Sequence, residues 1–488
     1  MAENLKGKTV KGVGWSAIDT FGGQGIGFIV NLILARLLGP EAYGIIGICG
    51  IFITIFSTLI DNGFSTSLIR KKDVGNEEYN TMFLTNMAVS LFFYLVLFLC
   101  APSISSFFNN ETLVPILRVM GVLLLLQALS IVQNTIITKR IDFKTRAISS
   151  LIASIIGGSA AICGAYAGLG VWALVIYQLS KQFVFNICLW ILNKWWPSLH
   201  FSKDSFKYMW GFGWKMTLSS LLDTTWSQLY QATVGKFYSP ATLGQYSRAQ
   251  DFANIFSASI PGIITKVSFP VIADVQDDLP RMMSVYRKII KTTMFVTAIC
   301  MLSMAAISEP LIYVLIGEQW HEASTYLPLI CISFSFGPLS AINLNMLKVQ
   351  GRSDIFLYLE IIKKVIAVAP ILLGVFINIY WMLIGSIVIG IISYFMNSYY
   401  TGRKLKYTAW MQIKDVAPSY GIGFIIAISV FFIKYIPIPY IWILILQLVI
   451  GSFVFIVVCE WTHLEEYSEL KSIIMPYLKK IYKKKESC

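Results

Sequence analysis

Apolar runs of about twenty residues follow one another almost to the end of the chain, separated by short polar stretches. Each is long enough to cross a hydrocarbon core of roughly 30 Å as a helix, and none shows the period-two alternation of a membrane β-barrel. Fourteen spans can be drawn, at 12–36, 43–66, 80–101, 114–138, 147–168, 171–193, 209–235, 248–272, 286–308, 325–348, 355–376, 379–400, 416–435 and 440–459. The predicted fold is all-α and integral to a membrane, with about 14 transmembrane helices.

The polar positions repeat. A shift of two hundred residues lays Lys236 on Arg36, Pro240 on Pro40 and Gly244 on Gly44, and with a one-residue slip Gly213 and Trp214 answer Gly14 and Trp15. A polar row at spacing four climbs each copy: Trp15, Asp19, Gly23, Gly27 and Asn31 in the first, Lys215, Ser219, Asp223, Ser227 and Gln231 in the second. Residues four apart form one ridge of a helix, so the two ridges are expected to face each other across a polar cavity. The repeat divides the chain into a six-helix bundle at 1–205, a second at 206–405, two extra spans at 406–460 and a basic amphipathic tail at 461–488. Both copies run in the same direction, which implies two pseudo-symmetric bundles around an axis along the membrane normal.

Loop charges set the orientation. Arg70, Lys71 and Lys72, then Lys139, Arg140, Lys144 and Arg146, begin a series of basic even-numbered loops, whereas the loops around Asn109, Gly168, Glu318 and Asn378 hold no Lys or Arg. By the positive-inside rule both termini are expected in the cytoplasm. The tail spaces Leu464, Tyr467, Leu470, Ile474, Leu478 and Ile481 near helical period before a lysine cluster, which suits an interfacial helix on anionic lipid.

Composition agrees with this picture. The 488 residues are 56% hydrophobic and 13% charged, with mean hydropathy +0.68. The net charge of +13 is dispersed over membrane loops and the tail, so it argues for topology and against nucleic acid as a partner. Eight cysteines without paired or metal-type spacing read as small hydrophobes, and the N-terminus reads as an uncleaved anchor. No GxSxG, HExxH, P-loop or CxxC motif is present and the histidines are scattered singly, so no catalytic residue and no metal site is expected and the chain is read as no enzyme.

The candidate chemistry is charge within the spans, which is costly unless it faces a cavity or a partner. Lys181 sits in the middle of its span, as a substrate-binding cation or one member of a structural pair. Lys215 and Asp223 share a ridge, for pairing with a neighbouring helix or for substrate contact, beside Gln228 and the rings of Trp226 and Tyr230, which suit sugar faces. Glu360 is spaced to pair with Lys364, leaving Lys363 as an unpaired cation. The substrate set is therefore Lys181, Lys215, Lys363, Asp223 and Trp226. Arg36, Lys236, Asp61 and Arg248 are gate or coupling candidates; for each the alternative is structural, a helix-end cation for Arg36 and Lys236, a helix-end or packing carboxylate for Asp61 and a snorkelling cation for Arg248.

Four stretches, LARLLGPEAYGIIG at Leu34 to Gly47, DNGFSTSLIRKKD at Asp61 to Asp73, LGQYSRAQDFANIFSASIPGIITKVSFPVIADVQDD at Leu243 to Asp278 and GRSDIFLYLEIIKK at Gly351 to Lys364, resemble polysaccharide exporters of the MOP flippase superfamily, in particular its Wzx-type group. In the third, Gly244, Tyr246, Arg248, Phe269, Pro270, Gln276 and Asp278 carry the likeness. The resemblance implies a MATE-like, V-shaped pair of bundles in the bacterial cytoplasmic (inner) membrane, a monomer working by alternating access. It implies an undecaprenyl-pyrophosphate-linked oligosaccharide as substrate, membrane lipids and the polysaccharide polymerase or export machinery as partners, no cofactor, and H+ or Na+ as coupling ion. Tyr238 and Ser239 depart from the Leu-Gly of the pattern, which bears on the turn before Pro240. A multidrug or peptidoglycan-precursor exporter of the same superfamily, or a membrane-embedded glycan polymerase or ligase, remain alternatives; the last would need a large outer loop that this chain does not show.

Overall fold

The computed structural model describes residues 22–61, 63–257, 278–349, 352–469 and 471–472. Trp15 and Asp19 of the first ridge, Phe269, Pro270 and Gln276 of the third resembling stretch, and Leu470 with the tail beyond residue 472 lie outside them. Every element is a helix, with no strand among the described residues, and ten helical stretches are long and apolar enough to cross a membrane. By packing, the chain divides into two compact units, Met1–Ser247 and Arg248–Cys488.

The first unit begins with α1 (Gln24–Asp61), bent where Gly39 takes φ 72° ahead of Pro40, so that it forms two limbs, 24–38 and 40–61. Pro40 cannot supply the amide that a continuous helix needs there, and glycine accepts the positive φ without a Cβ clash. There follow α2 (Phe64–Arg70), α3 (Asn76–Phe108), α4 (Leu113–Met120), α5 (Val122–Arg140), α6 (Phe143–Tyr166), α7 (Val171–Asn193), α8 (Lys203–Phe237) and α9 (Pro240–Ser257), the last running into the second unit. The turn from α8 into α9 makes the same bend without glycine. Tyr238 is extended, and the Ser239 hydroxyl accepts a hydrogen bond from the Thr242 amide at 3.1 Å, capping α9. The departure from the Leu-Gly pattern is thus a change from a left-handed glycine turn to a serine cap.

The two copies of the repeat meet at their glycines. Gly44 lies directly against the Pro240 carbonyl and Gly244 against the Pro40 carbonyl, each so close that a Cβ would overlap the oxygen. Nearby, α6 packs closely on α7 and on the first limb of α1, because Gly157 receives the backbone of Lys181 and Gly158 receives the Val30 side chain. An interhelical hydrogen-bond ladder joins α7 to α5: Gln182 donates to Ser130, Asn186 to the Leu126 carbonyl, Trp190 to the Leu129 carbonyl and Asn193 to Gln133. In an apolar surrounding such bonds hold helices that the hydrophobic effect cannot press together.

The second unit contains α10 (Leu279–Ala306), α11 (Ser308–Leu315), α12 (His321–Ser335), α13 (Gly337–Val349), α14 (Ser353–Ile366), α15 (Val368–Phe376), α16 (Ile379–Leu405), α17 (Ala409–Phe431) and α18 (Tyr440–Thr462). Its core is joined through Asn343 on α13, fully buried, whose Oδ1 accepts from Tyr286 of α10 at 2.8 Å and from Thr401 of α16 at 2.7 Å, while its amide donates to Gln412 of α17 at 3.1 Å. After α18 the chain turns back at His463, and Glu469 and Glu466 pair with Lys288 and Lys291 of α10.

Candidate functional site

A cavity of about 510 Å³ in the first unit opens between the second limb of α1 and α8. Thr54, Ser57, Thr58 and Asp61 line it from α1, Gly63 and Thr66 from the break into α2. Thr217, Ser220 and Thr224 face them from α8, and Gln127 of α5 closes one side. The apolar share of the wall comes from Ile53 and Met216. Helical spacing explains the grouping: positions 54, 57, 58 and 61, like 217, 220 and 224, fall on one face of a helix.

Asp61 ends α1, and Gly63, with φ 65°, begins the turn into α2. The Ser65 hydroxyl donates to the Asp61 carboxylate at 2.5 Å and lies 3.1 Å from the Thr135 hydroxyl of α5. Ser57 is within hydrogen-bonding reach of both the Ile53 carbonyl and the Gln127 carbonyl oxygen. Thr58 reaches across to Thr224 of α8 at 3.3 Å. Ser57, Asp61 and Gln127 also line a second cavity of about 380 Å³, whose other walls include Asn134, Thr138, Arg146 and Gln182. They therefore form a polar partition between the two spaces.

The structure places the sequence-derived candidates in different settings. Asp61 lies in the cavity wall. Lys215 and Asp223, on the ridge of α8 next to the cavity-lining one, are exposed, and Trp226, off that ridge, is partly covered; the Lys215 ammonium lies 5.9 Å from the Trp214 ring. Lys181 is half-buried midway along α7, its ammonium 5.5 Å from the Tyr177 ring and directed at Gly27, and among the described residues no carboxylate pairs with it. The Tyr177 hydroxyl beside it is buried with no hydrogen-bond partner among the described residues.

Two expectations are corrected. Glu360 pairs with Lys363, so Lys363 is not an unpaired cation; residues three apart share a helix face as residues four apart do. The ridge of the first copy does not face α8 across a cavity where it is described: the Gly23 carbonyl accepts from Ser154 of α6, and Gly27 abuts Tyr177 and Lys181 of α7. Two glycines on one ridge admit close helix approach, so this face packs and the second limb of α1 lines the cavity in its place. Asn31 likewise turns its amide back to the Gly27 carbonyl.

The remaining gate candidates sit near helix ends. Lys236 donates to the Phe107 carbonyl in the last turn of α3 and covers the Phe107 ring, a helix-end cation in its geometry. Arg36 is exposed near the end of the first limb, and Arg248 pairs with Asp251 one turn along α9 at 2.6 Å. Lys434, near the end of α17, pairs with Glu309.

Sequence reasoning missed Ser57, Gln127, Thr217, Ser220 and Thr224. The signal was present as hydroxyl residues recurring on one face of apolar helices. It is weak, because a serine or threonine in a membrane helix can satisfy itself on the carbonyl one turn back, as Thr217 does on Gly213.

Residues 33–325 match the sequence profile of a family described as "Polysaccharide biosynthesis protein". The chain is 24% identical over 375 residues to the succinoglycan biosynthesis transport protein ExoT of Rhizobium meliloti (strain 1021), covering 77% of this chain and 76% of that one. It is 22% identical over 377 residues to the lipopolysaccharide biosynthesis protein WzxC of Escherichia coli (strain K12), covering 76% of each. Among solved structures it is similar in fold to the lipid II flippase MurJ in an inward closed conformation, with TM-score 0.72, 14% identity and coverage of 92% of this chain and 98% of that one.

Proposed function

The chain belongs to the polysaccharide biosynthesis protein family, whose profile covers more than half of it, and we propose on that basis that it is a transporter flipping a lipid-linked oligosaccharide repeat unit across a membrane. The observation that carries this reading is the polar cavity between helices otherwise built for lipid: a hydroxyl- and amide-lined space inside an apolar bundle gives a hydrophilic head group a route that the hydrocarbon denies it. The names of its relatives, a succinoglycan transport protein and a lipopolysaccharide biosynthesis protein, share a sugar polymer as destination.

In this reading the carrier is undecaprenyl pyrophosphate and the membrane is the bacterial cytoplasmic membrane, with the basic loops and both termini inside. Transport proceeds by alternating access in a monomer, driven by an H+ or Na+ gradient, and hands the repeat unit to the polymerase. Lys181 and Lys215 supply positive charge to the pyrophosphate. Glu360 already neutralises Lys363, which removes it from that role. Deleting the gene tests the function: the lipid-linked repeat unit accumulates and the surface glycan disappears, both reversed by the restored gene. Normal surface glycan refutes the reading, and accumulation of a peptidoglycan precursor transfers the chain to the alternative substrate.

A further inference from the structure

The cavity between α1 and α8 has a chemical bias that its residue names alone do not convey. More than half of the residues lining it are Ser or Thr, and Asp61 is the one ionisable group among them, with no Lys, Arg or His in the described wall. Three of the hydroxyl protons are already engaged inside the protein. Thr58 donates to the Thr54 carbonyl at 3.0 Å and Thr217 to the Gly213 carbonyl at 3.1 Å, while both neighbours within reach of Ser57 are acceptors. What these side chains present to the cavity is oxygen lone pairs. Asp61 presents carboxylate oxygens that already accept from the Ser65 hydroxyl. Gln127, its oxygen taken by Ser57, retains its amide hydrogens as donors toward the space.

An acceptor-rich wall discriminates between the two polar parts of a lipid-linked oligosaccharide. Pyrophosphate carries only acceptors and negative charge, and the described wall offers it no cation, only hydroxyl and amide donors beside the Asp61 carboxyl. A sugar ring carries hydroxyls that donate as well as accept, and a carboxylate can take two of them at once. The volume of about 510 Å³ lies within the range of roughly 300–1,000 Å³ typical of small-molecule sites.

We propose that this cavity is the glycan subsite of the transporter, binding uncharged hydroxylated sugar residues through Asp61, Gln127, Ser57 and Thr217, and that it holds no pyrophosphate. The proposal rests on the transport reading and adds the division of labour: these residues determine which glycan is accepted, and the carrier's phosphates are held elsewhere.

The test measures binding of two probes to the full-length protein in lipid nanodiscs: undecaprenyl pyrophosphate, and the same carrier bearing the repeat unit, purified from cells lacking the gene. Asp61→Asn, Gln127→Leu and Thr217→Val are expected to weaken binding of the glycan-bearing lipid tenfold or more while changing that of the bare carrier less than twofold. Equal losses for both probes, or no loss for either, overturn the assignment. If Asp61→Asn fails to fold, the decision falls to Thr217→Val, which keeps the side-chain shape, and to Ser220→Ala at an exposed position. A wild-type protein that binds both probes equally refutes the glycan subsite alone; one that binds neither refutes the transport reading with it.

Discussion

Gly44 and Pro240 touch backbone to backbone, and the pair is mirrored by Gly244 and Pro40, so the two copies of the repeat cross at equivalent points within the first unit. The proline that starts each second helix fixes a carbonyl in place, and only a residue without Cβ can sit on it. Gly47, one turn along, is different: a Cβ there would meet the Leu243 side chain at 3.4 Å, an ordinary contact.

Gly44→Ala and Gly244→Ala are therefore expected to destabilise the protein by at least the roughly 1–3 kcal/mol of an overpacked core, since backbone and not a flexible side chain must give way. Gly47→Ala should be tolerated. Thermal unfolding in detergent, followed by size-exclusion chromatography, checks both, and stable Gly44→Ala protein would contradict the crossing.

Lys181 separates charge from structure. With no carboxylate partner among the described residues, replacing it by an apolar chain strands no buried anion there, so Lys181→Met should insert and fold as the wild type does. If its ammonium serves the substrate, glycan export should fall on the order of ten- to a hundredfold, from the roughly 1.5–3 kcal/mol of a hydrogen bond to a charged group. Lys181→Arg should keep part of the activity. Normal export by Lys181→Met, measured as surface glycan at matched protein level, rules out the substrate role.

Asn343 makes a prediction for the second unit. Its replacement by Leu leaves the hydroxyl of Tyr286 and the amide of Gln412 without their buried partner, while Thr401 keeps the Asn397 carbonyl. Each such group costs about 1–3 kcal/mol, so Asn343→Leu should be among the most destabilising changes in α13. Adding Gln412→Leu should cost less in that background than alone, because the two share one network. Additive losses in unfolding experiments would show that the network is not cooperative.

The sequence determined the all-helical, membrane-crossing character of the chain and the repeat, though not the count of spans, fourteen drawn against ten qualifying stretches among the described residues; the former rest on local quantities: the length of an apolar run, a proline that cannot continue a helix, a glycine at a fixed offset from it. It also marked the turn at Tyr238 and Ser239 as unusual. It did not determine which ridge of each helix meets a cavity. The row from Lys215 to Gln231 and the row from Thr217 to Thr224 differ by a rotation of a fraction of a turn, and both are polar; only packing against the second limb of α1 selected the latter. The same holds for Gly23 and Gly27, polar by class but buried because small residues draw helices together, and for Lys363, whose pairing with Glu360 three residues back is a rotamer decision that spacing leaves open. Gln127 joined the site from a helix distant in sequence, since a cavity is formed by whichever faces three-dimensional packing brings opposite one another, and no single helix encodes its neighbour.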